Sequence, residues 1–201
     1  MIRKPDSPSG YRFCLDSRGT NAGTKIDRYD TPNVRDIFSE IGGAKYFCRF
    51  DMISSYWQFK LADESRPKTA FRANGRNYRY KVCPMGNVQS SFHVQRHMTS
   101  MLGDLVGNGA IVYIDDIILY ASSAAELEAR IRATMERLAS WNFYLKASKC
   151  IMGLSAMYYN ATVAVWRMIA SIRLLASSTL VRLNSYAQLL VRQTTSLIIR
   201  T

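Results

Sequence analysis

The chain has 201 residues, 48% of them apolar and 21% charged, enough for a folded core and too apolar for a disordered polymer. Lys and Arg number 27 against 15 Asp and Glu, a net charge of +12, which points to a polyanion, nucleic acid or an anionic membrane surface, as partner. The four cysteines include no Cys-x-x-Cys pair, which argues against zinc ribbons and thioredoxin-type sites. Scattered thiols, an N-terminus without a signal-type apolar stretch and no apolar run approaching roughly 20 residues predict a reduced intracellular protein, neither secreted nor membrane-spanning.

Residues 11–15 alternate in character and predict a strand. Thr31-Pro32 predicts a helix start with Pro in the first position; Val34, Ile37, Phe38 and Ile41 then share a face, and Gly42-Gly43 ends the helix. Residues 46–50 read as a strand ending at Asp51, and residues 78–82 as another, closed by Pro84 and Gly86. A helix is predicted over 88–106, with Phe92, Val94, Met98, Met101 and Leu102 for burial. Residues 110–114 and 117–120 are apolar β-type runs around Asp115-Asp116. The helix after them carries Leu127, Ile131 and Leu138 on one stripe and the i, i+4 pairs Glu126–Arg130 and Glu128–Arg132. Strands mixed with helices, several joined as hairpins, predict an α+β fold.

Composition breaks late in the chain. All acidic residues lie between positions 6 and 136, while residues 151–201 contain no Asp, Glu, Lys, Pro or Cys. The segment from 154 to 201 therefore reads as a divergent tail, either a basic helical extension or a stretch out of register with the preceding 1–153 unit.

Two adjacent carboxylates between apolar strands repel each other unless a cation compensates them. Divalent metal with oxygen ligands supplies that charge; the alternative is an exposed Asp-Asp turn, although it lacks the glycine that two-residue hairpins favour. Asp51 also ends a β-type run, followed by an apolar loop. A third carboxylate there completes a two-metal site, with ions roughly 4 Å apart activating a hydroxyl and stabilising a leaving pyrophosphate. Convergence of the three predicts a raised pKa for at least one of them. His93 and His97, at i, i+4 spacing, have no third ligand nearby and read as structural.

The order of several boxes resembles reverse transcriptases, with gypsy-type and allied LTR retroelements the nearest in pattern. Tyr113-Ile114-Asp115-Asp116 resembles the Y-x-D-D box. Phe50-Asp51 through Tyr56-Trp57-Gln58 is similar to F-D-L-x-S-G-Y-x-Q, and Arg66-Pro67-Lys68-Thr69-Ala70-Phe71 to the K-T-A-F strand. Cys83-Pro84-Met85-Gly86, with Phe92 and Gln95, resembles the M-P-F-G-L…F-Q box. Tyr11 to Arg18 with Asn21 resembles a fingers strand, and Gly42 to Phe47 the approach to the first catalytic Asp.

The resemblance implies a right-hand polymerase palm with part of the fingers, an antiparallel sheet backed by helices, performing RNA-directed DNA synthesis with two Mg²⁺ or Mn²⁺ ions. It assigns metal coordination and catalysis to Asp51, Asp115 and Asp116, with the Met52 carbonyl as a further ligand. Tyr56 becomes the steric gate against a ribonucleotide 2′-hydroxyl, and Arg12 and Lys4 the cations on the incoming triphosphate. Gly86, Gln95 and Tyr113 line the nucleotide site, and Lys149 is the candidate proton donor to pyrophosphate. Implied partners are dNTPs and a primed RNA or DNA template, with thumb and RNase H segments supplied by a larger polyprotein, in a cytoplasmic retroelement particle or the nucleus.

Three departures stand out: Ser55 replaces Gly, Asn87 replaces Leu, and Ser91 stands where many relatives carry Pro. Past Cys150 the primer-grip hairpin is not recognisable. Weak or no activity of this chain is therefore expected, and the competing reading is an inactive relic that binds nucleic acid through its basic charge.

Overall fold

A computed structural model describes residues 2–3, 10–12, 14–155 and 198–200. In chain order these form β1 (Ile2–Arg3), β2 (Tyr11–Arg12), α1 (Arg18–Ala22), α2 (Val34–Ile41) and β3 (Tyr46–Asp51). After two 3₁₀ turns, Ser55–Gln58 and Asp63–Thr69, come β4 (Phe71–Ala73), β5 (Arg76–Tyr80) and α3 (Val88–Leu102). Then follow β6 (Ala110–Tyr113), β7 (Asp116–Ala121), α4 (Ala124–Ser140), a 3₁₀ turn Ala147–Lys149, β8 (Ile151–Ser155) and β9 (Ile198–Arg200). The architecture is α+β. Two units divide it: Met1–Asp30, Ser54–Val94 and Gln193–Thr201 in the first, Thr31–Ile53 and Gln95–Arg192 in the second.

The second unit is built on an antiparallel sheet ordered β6-β7-β3-β8. The run 117–119 is apolar throughout, so period-2 alternation sends apolar side chains to both faces of β7. Both faces are covered: Ile117 and Leu119 have no exposure, and Ile118 on the opposite face keeps 7%. Ile37 of α2 packs against Ile118 and its register partner Ile111, with Ile41 and Tyr120 at the edge. The α4 helix lies against β7 and β3 and buries Leu127, Ile131 and Leu138, the stripe that its spacing predicts. Tyr120 ties the parts together, its hydroxyl donating to Glu40 Oε1 at 2.8 Å and accepting from the Gly109 amide at 3.2 Å.

Local chemistry sets the element ends. The Ser123 hydroxyl accepts from the Glu126 amide at the start of α4, while Glu126 accepts from the Ser122 amide and hydroxyl, a reciprocal cap. Both predicted i, i+4 ion pairs on this helix are present, Glu126–Arg130 at 2.7 Å and Glu128–Arg132 at 3.4 Å.

In the first unit β1 pairs with β2, and β5 lies between β4 and β9. The β4–β5 hairpin turns through Asn74-Gly75, both at positive φ (49° and 71°). That is the residue pair a tight two-residue hairpin demands.

Four expectations shift. The α2 helix starts at Val34, and its cap is Asn33, not Thr31 with Pro32 as first residue. The Asn33 side-chain oxygen reaches the Arg35 and Asp36 amides at 2.9 and 3.0 Å. The predicted 78–82 strand runs instead over Arg76–Tyr80, because the Asn74-Gly75 turn starts it earlier; Val82 makes an isolated bridge to Lys60. Lys68 and Thr69 lie in a 3₁₀ turn containing Pro67, and the strand of that box begins at Phe71. The α-helix predicted to 106 ends at Leu102 and passes into a 3₁₀ turn, Gly103–Leu105.

Of the expected tail from 154, Leu154 and Ser155 continue β8 beside β3, and Ile198–Arg200 pairs with β5. Its remainder lies outside the described residues, as does Lys4. No helix among the described residues is long and apolar enough to cross a membrane.

Asn33→Ala removes the side-chain acceptor for two helix-end amides and should lower unfolding free energy by about 1 kcal/mol in urea titrations. Thr31→Ala should leave the midpoint unchanged. Equal loss in both would return the cap to Thr31.

Candidate functional site

The β3–β7 register sets Asp51 directly opposite Asp116, and the β6–β7 register sets Tyr113 opposite Asp116. Asp116 is therefore the first residue of β7, and the two-residue turn is Ile114-Asp115, not Asp115-Asp116. Ile114 takes φ 55°, a left-handed conformation costly for a β-branched residue, of order 1–3 kcal/mol. Gln95 on α3 holds it there. Its side chain, 2% exposed, accepts from the Ile114 amide at 2.6 Å and donates to the Val112 carbonyl at 3.0 Å. Sequence resemblance assigned Gln95 to the nucleotide site; these bonds direct its amide to the backbone that carries Asp115.

Two cations answer the carboxylates. Arg49 binds Asp116 through Nε to Oδ1 at 3.1 Å and Nη2 to Oδ1 and Oδ2 at 2.7 and 2.9 Å. Lys149, at the end of its 3₁₀ turn, places Nζ 3.6 Å from Asp51 Oδ2. Burial is the main force raising the Asp116 pKa above the ordinary carboxylate value. Arg49 opposes the rise, and the charges of Asp115 and Asp51 add smaller upward contributions. The shift expected from crowded carboxylates is present, with desolvation as its larger cause. Cys150 lies alongside, its Sγ 3.9 Å from the Asp51 carbonyl, and burial pushes its thiol pKa up.

Backbone bonds brace the end of β3. The Lys146 amide donates to the Asp51 carbonyl at 2.8 Å and the Ile53 amide to the Tyr144 carbonyl at 3.1 Å. Met52, 3% exposed, bridges Leu145 between them. Tyr113, at the other side of the turn, is 41% exposed.

Tyr56 and Gly86 belong to the first unit. The Tyr56 hydroxyl lies 3.0 Å from the Ser91 hydroxyl, within hydrogen-bond distance. Ser54 takes φ 50° and leads into the 3₁₀ turn holding Tyr56, whose first residue, Ser55, is buried. Gly86 sits at φ 98°, and a Cβ there would lie 3.1 Å from the Leu15 carbonyl oxygen. Asn21 brackets it, donating to the Gly86 carbonyl at 2.9 Å and accepting from the Val88 amide at 3.0 Å. Local backbone packing thus demands glycine here. His93 stands edge-on to Phe59 with ring centroids 6.0 Å apart. Arg12 is a residue of β2.

Carboxylate oxygens at one end of the sheet are the donor type that a hard divalent cation takes. Arg49 and Lys149 already pair with Asp116 and Asp51, however, and the expected convergence of all three aspartates on one metal-sized site is not seen. Among the described residues no three His, Cys, Asp or Glu side chains close around a single metal-sized point. Sequence reasoning passed over Arg49, although its signal was present: two residues before Asp51 in a strand, it shares that residue's face. The hydroxyl of Ser91 was noted only as a departure from proline.

A family model described as "Reverse transcriptase (RNA-dependent DNA polymerase)" matches residues 2–164. The retrovirus-related Pol polyprotein from transposon 297 of Drosophila melanogaster is 33% identical over 150 residues, covering 74% of this chain and 14% of that polyprotein. The Pol polyprotein from transposon gypsy of the same species is 31% identical over 138 residues, 69% of this chain and 13% of the other. The chain thus spans about a seventh of these curated relatives. Among solved structures, the foamy viral protease-reverse transcriptase in complex with double-stranded DNA aligns with TM-score 0.68 and 20% identity. That alignment covers 75% of this chain and 26% of the other.

Gln95→Leu strands the Ile114 amide and Val112 carbonyl and should destabilise the second unit by about 2 kcal/mol. Adding Ile114→Gly, which removes the left-handed penalty, should recover about 1 kcal/mol in the Gln95→Leu background. Thermal unfolding with hydrogen exchange at residues 112–116 measures both; no recovery in the double variant would show that Ile114 carries no strain.

Proposed function

The chain belongs to the reverse transcriptase family, and on that premise we propose that it is the palm and partial fingers segment of an RNA-directed DNA polymerase. In the assigned reaction the primer 3′-oxygen forms a bond to the α-phosphorus of a deoxynucleoside triphosphate. The α–β phosphoanhydride bond breaks, pyrophosphate leaves, and the hydroxyl proton is released. The observation that carries this reading is the register that sets Asp51 across from Asp116 with Asp115 beside it in the turn.

Two Mg²⁺ or Mn²⁺ ions would supply Lewis acidity for the attacking oxygen and charge for the departing pyrophosphate. The sequence boxes assign Asp51, Asp115 and Asp116 to hold them, with the Met52 carbonyl as a further oxygen. Lys149, an ammonium beside Asp51, is suited to give a proton to the pyrophosphate as the bond breaks. Tyr56 is assigned to exclude the 2′-hydroxyl, and its bond to Ser91 supports that role by restricting the ring. Arg12 and Lys4 are assigned to the triphosphate, where charge-assisted contacts are strongest. Gly86 and Tyr113 are assigned to nucleotide contact, and Gln95 to support of the turn. The net charge of +12 suits a primed template, and the thumb and RNase H parts are assigned to other segments of a polyprotein.

Primer extension on an RNA template with Mn²⁺ tests the reading. First-nucleotide addition should occur without processive synthesis, because the sequence past Cys150 carries no recognisable primer-grip pattern and positioning contributes several orders of magnitude. Asp115→Asn should abolish addition. Incorporation that persists in Asp115→Asn, or none with either ion, would overturn the assignment. In the same assay Tyr56→Ala should admit ribonucleotides while deoxynucleotide addition survives, and Ser91→Ala should relax selectivity more weakly. Unchanged sugar selectivity in Tyr56→Ala removes the gate role.

A further inference from the structure

Three carboxylates and two cations share one end of the second unit's sheet, but the two cations are held very differently. Lys149 is 54% exposed and makes a single contact, at 3.6 Å, to Asp51, which is itself 16% exposed. Arg49 is 18% exposed, Asp116 25%, and three nitrogen–oxygen contacts of 2.7 to 3.1 Å engage both Asp116 oxygens. A single long contact from a half-exposed ammonium is readily exchanged for another cation. A partly buried, multiply bonded guanidinium pair is not, because separating it leaves an uncompensated charge away from water.

Strand geometry explains the pairing. Arg49 and Asp51 share one face of β3, Asp116 stands opposite Asp51, and Arg49 reaches it diagonally. The guanidinium therefore ties the first residue of β7 to β3, immediately after the strained turn that presents Asp115.

We propose that Arg49 is a positioning residue that takes Asp116 out of the metal-binding set, so that Asp51 and Asp115 are the carboxylates that bind divalent cations. Asp116 then acts as a strut, fixing the Ile114-Asp115 turn against β3, and the pair Arg49–Asp116 adds no net charge to the site. This inference rests on the reading of the carboxylates as a metal site and departs from the three-aspartate assignment implied by the sequence boxes.

Mn²⁺ binding to the 201-residue chain, followed by electron paramagnetic resonance, tests it with a charge-matched design. Arg49→Met releases the Asp116 carboxylate and removes a cation, so Mn²⁺ affinity should rise by about tenfold. The double variant Arg49→Met with Asp116→Asn removes both members of the pair and should bind Mn²⁺ within about threefold of the native chain. A loss of about tenfold or more in the double variant would make Asp116 a metal ligand and overturn the proposal, as would unchanged or weaker binding in Arg49→Met. Circular dichroism monitors folding. Should Arg49→Met not fold, the double variant, which leaves no buried unpaired charge, decides alone. Mn²⁺ binding that is absent, or indifferent to Asp115→Asn, would overturn the metal reading as well, which distinguishes the two failures.

Discussion

Asp51 and Asp116 face each other across β3 and β7, a like-charge cross-strand pairing that sheets ordinarily avoid because it destabilises the ladder. The apolar runs on either side hold the register regardless. A one-residue slip would carry Asp116 and Tyr120 to the face where Ile117, Leu119 and Ala121 are now buried. Repulsion is then relieved by cations from the same unit, Arg49 along β3 and Lys149 from the turn before β8. Hydrophobic burial fixes where the charges stand, and electrostatics decides what gathers around them.

A second constraint acts at the tip. Ile114 occupies a backbone region that a β-branched side chain disfavours, and a buried glutamine amide satisfies one donor and one acceptor of the hairpin from behind. Buried polar groups are costly unless bonded, so Gln95 and the hairpin stabilise each other: the glutamine's bonds to the Ile114 amide and the Val112 carbonyl exist only while the turn keeps its strained form. The backbone position of Asp115 depends on helix α3 as much as on the strands that flank it.

In the first unit backbone demands recur in other forms. Asn21 clamps both sides of Gly86, where a Cβ would crowd the Leu15 carbonyl at a positive φ that side chains disfavour. Thr69 does comparable work nearby, donating to the Arg66 carbonyl at 2.7 Å and accepting from the Tyr80 amide at 3.0 Å. These side chains anchor loops that have few ladder bonds of their own.

Periodicity and box order by themselves determined the α+β class, the placement of α2, α3, β3, β6, β7 and α4, and the family to which the chain belongs. These features are local or collinear: an apolar run of 117–119, a 3.6-residue stripe through Leu127, Ile131 and Leu138, and acidic residues at fixed spacing can be read without knowing what lies across the sheet. The start of α2, misread as Thr31-Pro32, and the Asn74-Gly75 turn were not legible in this way, because several residues nearby carry cap and turn preferences and only the folded backbone selects among them. Tertiary structure alone decided the rest. That the turn is Ile114-Asp115 follows from the β6–β7 register. That Arg49 holds Asp116 follows from a contact between residues 67 positions apart, and that Gln95 supports the turn from one spanning 19 positions. Side-chain charge and hydrogen-bonding capacity are written in the sequence, but which partner completes them depends on strands and helices meeting in space, and no local pattern encodes that meeting.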